Sequence, residues 1–185
     1  MSDFKLIRYK MDPKGKAAEN AAGLMGIGMF LRIVYFFALT RLESAGAFLL
    51  IFGLILPLIA EVAFIVMIKG LRLNNPWLYA IVGAFLCLVL LVLGFQYGNV
   101  LRLMLAILLY LAGGGALVAM VMGFLPNKAV KWGFIGVAAG RLVFFNIVQN
   151  VLGFHPVVLV FEVAAMFELL ALGCFAATLT EKKKK

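Results

Sequence analysis

Five ionisable side chains lie inside long apolar stretches of the sequence and are its strongest candidates for chemistry. They are Arg32, Glu61, Arg141, Glu162 and Glu168. A charged side chain at the middle of an apolar helix costs roughly 2.5–3.5 kcal/mol on insertion scales, so such residues normally face a bundle interior and find partners there. Three acids and two bases can hold an anion, a cation or a proton, or they can neutralise one another. The pattern therefore predicts a buried polar layer.

Positions along the chain predict how these charges pair. Arg141 and Glu168 are equidistant from the turn at residues 153–156, so at about 1.5 Å per residue they should lie at one level and form an ion pair. Arg32 and Glu61 form a second candidate pair, although counting from the outer loop separates them by up to about 12 Å. Glu162 lies nearer the outer side, and we expect it to be unpaired, either partly exposed or protonated.

Amide side chains in the fifth apolar stretch extend the layer. With them, the sequence predicts a substrate-binding pocket lined by Arg32, Glu61, Arg141, Asn146, Gln149 and Glu168. In that pocket the guanidinium groups would hold an anionic group, or the carboxylates would hold a cation or a proton. The alternative is that the Arg–Glu pairs only lock the helices together, because matched opposite charges weaken the case for a functional site.

Two backbone features predict mobility close to this layer. Pro57 cannot donate a hydrogen bond to the carbonyl of Gly53, so a kink is expected one turn before Glu61. Consecutive glycines in the fourth apolar stretch permit either bending or close helix packing, and we take them as a second hinge. They are Gly113, Gly114 and Gly115. At five other glycines in the first and fifth apolar stretches the sequence favours packing: Gly23, Gly26, Gly28, Gly136 and Gly140.

Several kinds of catalytic machinery are missing from the sequence. Its aspartates, Asp3 and Asp12, lie in the N-terminal tail, and serine occurs only at Ser2 and Ser44. A membrane aspartyl dyad is therefore excluded, and a serine nucleophile with a base is improbable. The single histidine, His155, cannot form a zinc motif with a second histidine. We expect a protein that is not an enzyme, with no cofactor and no metal.

Composition identifies the class of elements that must position these residues. The 185 residues are 65% hydrophobic and 14% charged, and the mean hydropathy is +1.11. Soluble domains are about 45–50% apolar and about 25% charged. A bilayer core about 30 Å thick is spanned by roughly 20 apolar residues as a helix. Six stretches reach about that length: residues 21–39, 45–68, 77–95, 103–124, 133–152 and 157–179.

The distribution of basic residues predicts the orientation. With six spans and the N-terminus inside, thirteen Lys and Arg lie on the cytoplasmic side, and only Arg41 and Arg102 lie outside. We therefore predict an all-α integral membrane protein of the plasma (inner) membrane, built from three antiparallel helical hairpins, with both termini cytoplasmic. Residues 1–20 would form a basic cytoplasmic segment, residues 21–179 the six-helix bundle, and residues 180–185 a polylysine tail.

These features favour a small permease-type protein or the membrane-embedded solute-binding subunit of a larger transporter. The alternative is a non-enzymatic scaffold or partner subunit whose buried charges are structural clamps. Expected partners are the anionic inner leaflet of the bilayer, a small solute or ion, and a second membrane protein. Nucleic acid is not expected, because the net charge of +9 comes largely from basic residues that flank apolar spans.

Overall fold

The protein is all-helical apart from one short two-stranded sheet, as seen in a computed structural model that describes residues 7–11, 15–41, 46–70, 75–94, 100–145 and 156–181. Helix α1 comprises Lys16–Thr40, and α2 comprises Ala47–Leu50. A π-helical turn, Ile51–Ile55, joins α2 directly to α3, Leu56–Lys69. The chain continues with α4, Pro76–Gly94, and α5, Val100–Val121. Next come α6, Asn127–Gly140, and a second π turn, Arg141–Phe145. The last described helix is α7, Pro156–Thr178.

The described helices form six rods when each π turn is joined to the helix that precedes it and α2 is joined to α3. Each rod packs against the next one in the chain, and α7 closes the ring by packing against α1 and α6. This arrangement of sequence neighbours is typical of a helical bundle with short connections. The longest interface is the one between α1 and α7, so the first and last helices are the most intimately packed pair.

Three helices in the described residues are long and apolar enough to cross a membrane. They are Lys16–Ala38, Ile51–Lys69 and Leu159–Thr178, and two shorter apolar helices are Pro76–Val92 and Ile107–Val121. Many large apolar side chains point outward from these helices, for example Phe30 and Leu108, each 64% exposed. Such surfaces suit lipid rather than water, so the helices agree with the prediction of a membrane protein.

The backbone is irregular at the point where the sequence predicts a kink. Pro57 is the second residue of α3, and the π turn that precedes it ends with the Leu56 N–H donating to the carbonyl of Ile51, five residues back. A wider turn takes up the break in regular α-helical bonding before a proline. The helical rod thus runs on through Pro57 with a π turn before it, and the kink stays a prediction.

The triple glycine of α5 lies within an uninterrupted helix and serves packing at two of its three positions. A Cβ at Gly114 would lie 3.4 Å from the Cα of Ala84 in α4, and one at Gly113 would lie 3.2 Å from the ring of Phe134 in α6. Gly115 faces open space. Close approach of neighbouring helices is therefore visible here, and the hinge stays a prediction.

Gly28 is the other glycine where the packing prediction is confirmed. A Cβ at this position would lie 2.8 Å from the Cγ of Glu168 and 3.2 Å from the Ala164 carbonyl oxygen, so α1 approaches α7 closely through the missing side chain. At four glycines the packing prediction is wrong for the described part of the chain, because a Cβ there would meet none of its atoms within 4 Å: Gly23, Gly26, Gly136 and Gly140.

A two-stranded antiparallel sheet joins the two ends of the described chain, and the sequence analysis did not predict it. Strand β1, Tyr9–Met11, pairs with β2, Leu179–Glu181, with Lys10 opposite Thr180. We call this sheet the terminal clasp. Since β1 precedes α1 and β2 follows α7, the clasp places the start of α1 and the end of α7 at the same end of the bundle.

The clasp is anchored to the connection between α5 and α6. The Ile7 N–H donates to the Gly123 carbonyl at 3.0 Å, and the Tyr9 hydroxyl donates to the Leu125 carbonyl at 2.6 Å. The Asn127 side-chain amide donates to the Leu179 carbonyl at 2.5 Å. The described part of the basic N-terminal segment is thus folded onto the bundle, where the sequence analysis assigned only a cytoplasmic extension.

Gly123→Ala should loosen the terminal clasp. Gly123 has a φ of +91°, which disfavours a side chain, and a Cβ there would lie 2.5 Å from the Ile7 carbonyl oxygen. We expect the free energy of unfolding to fall by about 1–3 kcal/mol, with faster proteolysis near residues 7–11. Gly115→Ala is the matched control, because a Cβ at Gly115 meets no atom within 4 Å. Equal effects of the two substitutions would contradict this packing.

Candidate functional site

The five ionisable side chains of the apolar stretches are all buried in the bundle. Arg32, Glu61, Glu162 and Glu168 are 0% exposed, and Arg141 is 2% exposed. They come from four parts of the fold: α1, α3, the second π turn and α7. The predicted buried layer is therefore present, and four of the six predicted substrate-binding residues belong to it: Arg32, Glu61, Arg141 and Glu168.

Arg32 is shared by two carboxylates from different helices. Its Nε donates to Oε1 of Glu61 at 2.9 Å, and its Nη2 donates to Oε1 of Glu168. The Arg32–Glu61 pair predicted from the sequence is therefore present. Glu168 is the additional partner, and it is within reach of Arg32 because Gly28 lets α1 approach α7. One guanidinium thus holds carboxylates from α3 and α7 side by side.

Arg141 forms a second centre with Glu162. The Nε of Arg141 lies 2.5 Å from Oε2 of Glu162, and Nη2 lies 3.2 Å from Oε1, so the guanidinium faces both carboxylate oxygens. Two parallel contacts of this kind give an Arg–carboxylate pair a defined orientation. Glu162 is accordingly an ion-pair partner, and the prediction that it is unpaired is wrong.

The predicted Arg141–Glu168 ion pair is replaced by these two centres, and the geometry of α7 explains why. Glu162 and Glu168 are six residues apart, which turns their side chains about 120° from each other and separates them by about 9 Å along the axis. Glu168 therefore faces α1 and reaches Arg32, whereas Glu162 faces α6 and reaches Arg141. Equal distances from the turn predict that Arg141 and Glu168 lie at the same level along the bundle. They do not predict which face of its helix each residue occupies.

Aromatic rings connect and enclose the two centres. The Phe161 ring centroid lies 5.8 Å from the Arg32 guanidinium carbon and 5.6 Å from that of Arg141, so one ring lies close to both cations. The Tyr110 ring lies 5.0 Å from Arg141. Cation–π contacts of this kind stabilise a desolvated guanidinium by roughly 2 kcal/mol or more. Sequence reasoning missed both residues, because an aromatic ring in an apolar stretch resembles any other core side chain.

Some buried polar atoms of the layer have no hydrogen-bond partner among the described residues. They are Nη1 of Arg32, Oε2 of Glu61, Oε2 of Glu168 and the Tyr110 hydroxyl. Leaving such an atom unsatisfied costs about 1–3 kcal/mol, and more for a charged group. The two ion pairs of Arg32 therefore leave part of the hydrogen-bonding capacity of this centre unsatisfied among the described residues.

Two cavities in the described part of the bundle are apolar, and neither is lined by a residue of the ion pairs. One, of about 220 Å³, lies between α5 and α6 and is lined by Gly113, Phe134 and neighbouring apolar residues. The other, of about 550 Å³, lies between α4 and α5, and Tyr110 is its one lining residue that also touches the charged layer. In the described part of the bundle, the carboxylates are thus enclosed by helices and line neither groove.

Two predicted substrate-binding residues, Asn146 and Gln149, lie outside the described residues. Within the described ranges, His, Cys, Asp and Glu form no group of three that could hold a metal ion. Comparisons of the chain with protein-family models, with curated proteins and with solved structures find no match. The contacts of the charged layer are therefore the basis for assigning a function to this chain.

Arg141 and Glu162 should be strongly coupled in stability. Either Arg141→Gln or Glu162→Gln leaves one buried charge without this partner, and we expect each to lower the free energy of unfolding by about 3–5 kcal/mol. The double variant should lose clearly less than the sum, because no charge of the pair remains. Unfolding titrations in mixed detergent micelles measure all three losses.

The combination of Arg141→Gln with Glu61→Gln is the control, because Glu61 belongs to the Arg32 centre. In that double variant the two losses should add to within about 0.5 kcal/mol. Equal coupling energies in the two double variants would show that the layer is a single network and would contradict the division into two centres.

Proposed function

We propose that the chain is a six-span protein of the plasma membrane with both termini in the cytoplasm. The terminal clasp supports this orientation, because it brings the two ends of the described chain to one end of the bundle. Lys10 lies in the clasp, Lys16 begins α1 immediately after it, and Lys128 lies beside Asn127, which binds β2. Basic residues gathered at one end of a membrane bundle mark its cytoplasmic side.

Cysteine labelling in intact cells tests the orientation. In a background with Cys87→Ala and Cys174→Ala, a cysteine in place of Lys10 or Lys128 should react with a membrane-impermeant maleimide only after the cells are opened. A cysteine in place of Arg41, which is exposed at the end of α1, should react in intact cells. Labelling of Lys10→Cys in intact cells would contradict a cytoplasmic N-terminus.

We propose that the bundle acts as a small permease or as the solute-binding subunit of a larger membrane transporter. The observation that carries this proposal is the excess of buried polar groups at the Arg32 centre: two carboxylates meet one guanidinium, and atoms of all three side chains have no partner among the described residues. A bundle that needed only a clamp would be served by one matched pair. A small solute or ion that met the free atoms would offset their desolvation.

The irregular backbone near the layer supports this proposal. Both π turns lie near the charged layer. The first precedes Pro57, which is one helical turn before Glu61, and the second begins at Arg141. Single π turns within helices are frequent at functional sites. Movement of α3, or of the helix that contains Arg141, would open the layer without breaking the packing of α1 against α7.

The second candidate is a non-enzymatic scaffold or partner subunit, and a specific observation favours it. All five charges are at most 2% exposed, and each carboxylate contacts a guanidinium. A closed and paired layer is what a structural clamp requires. On this proposal the exposed apolar helices would assemble with another membrane protein.

Solute binding distinguishes the two candidates. Purified protein would be heated with a panel of small carboxylates, inorganic phosphate and alkylamines. A solute that binds the layer should raise the Tm of the wild type by about 5–10 °C at about 100 times its Kd. The shift should be retained in Lys128→Gln, an exposed control, and lost in the Arg32→Gln/Glu168→Gln variant, which removes one charge of each sign from the Arg32 centre. A shift that persists in the double variant would place binding elsewhere and contradict the permease proposal.

A further inference from the structure

We propose that Glu61 and Glu168 share one proton, held beside the Arg32 guanidinium, and that this proton is the coupling ion of the bundle. The presence of the proton follows from the geometry of the centre alone. Its coupling role rests on the proposed transport function. The ligand of the Arg32 centre is thus a proton, bound between carboxylates from α3 and α7.

The contacts of Arg32 bring the two carboxylates side by side. Nε and Nη2 lie on the same edge of a guanidinium plane, and each donates to Oε1 of a different glutamate. The two Oε1 atoms therefore lie side by side along one guanidinium edge, and the two carboxyl groups are close neighbours. Two ionised carboxylates offer only acceptors, and like charges so close do not both remain ionised in a buried site. One proton between them converts this repulsion into a hydrogen bond.

The charge balance of the surroundings requires the same proton. From α1, α3 and α7 the centre contains one guanidinium and two carboxylates, which leaves one negative charge when both acids are ionised. Among the described residues, the other titratable or charged groups that face it are Cys87 of α4, Tyr110 of α5 and the Arg141–Glu162 pair of the second centre. Arg141 and Glu162 offset each other, and the thiol and phenol are neutral. A single proton makes the layer neutral.

A proton suits this centre better than a metal cation does. Ca²⁺ takes 6–8 oxygen ligands and Mg²⁺ requires near-octahedral coordination. The oxygens of the centre without a partner among the described residues are Oε2 of Glu61 and Oε2 of Glu168, together with the nearby Tyr110 hydroxyl. The Arg32 guanidinium would also repel a cation, whereas a shared proton needs only two oxygens.

The packing indicates which carboxylate can move. Glu168 is confined, because its Cγ packs against Gly28 in the tight α1–α7 interface. Glu61 lies on α3, one turn after Pro57 and the π turn that precedes it. Displacement of α3 would separate the carboxylates, remove the shared hydrogen bond and leave both acids ionised. The proton would then pass to water that the displacement admits, and return of α3 would require a proton to be taken back from water.

Infrared difference spectroscopy of the wild-type protein in phosphatidylcholine–phosphatidylglycerol vesicles tests the proposal. The wild type should show the C=O stretch of a protonated carboxyl group at neutral pH, shifted to lower frequency in D₂O. Glu61→Gln and Glu168→Gln should both lose this band, because the one glutamate that remains is ionised as the ion-pair partner of Arg32. Arg141→Gln/Glu162→Gln is the matched control, because it removes one charge of each sign from the other centre, and it should keep the band.

Absence of the band from the wild type, or its persistence in both Glu61→Gln and Glu168→Gln, would overturn the proposal. Carboxyl-¹³C glutamate labelling of the wild type gives the same answer by nuclear magnetic resonance without any variant, if the substitutions prevent folding. A protonated carboxyl signal is then expected, and its absence at neutral pH would overturn the proposal. If no solute raises the Tm of the wild type in the preceding assay while the band is present, transport and the coupling role are rejected but the proton site stands.

Discussion

The structure depends on the need to neutralise charge where no water can do so. Helix α7 carries two buried acids on faces about 120° apart, and each acid meets a guanidinium from a different neighbour. Breaking either contact would leave a desolvated charge, which costs several kcal/mol. The ion pairs therefore specify which helices lie beside α7, a choice that interchangeable apolar side chains would leave open.

The sequence predicts the components of the bundle better than their contacts. Charged residues such as Arg32 and Glu61 are conspicuous in apolar helices, because their burial is costly, and their enclosure follows from that cost. The break before Pro57 follows from its missing N–H. The partner of Glu168 could not be predicted in this way, because it depends on the rotation of α7 and on the close approach that Gly28 permits.

The terminal clasp was beyond sequence reasoning for a different reason. Three-residue strands such as Tyr9–Met11 have too few positions to show an alternating pattern, and their partner lies about 170 residues away. The roles of Phe161 and Tyr110 are equally hidden, since a ring beside a guanidinium has the same sequence context as a ring in the core. Long-range partners are decided by packing, and local spacing does not contain them.

The clasp pairs a segment that is translated early with one that is translated much later. Strand β1 is made before the described helices, but it cannot pair until β2 has been translated after α7. Contacts between residues so far apart in the chain form late in folding, because a long loop must first be closed. During most of synthesis residues 9–11 therefore have an unpaired edge, which is available to insertion factors or proteases. Closure of the sheet coincides with a fully assembled ring of helices, so a protected N-terminal segment reports that assembly is complete.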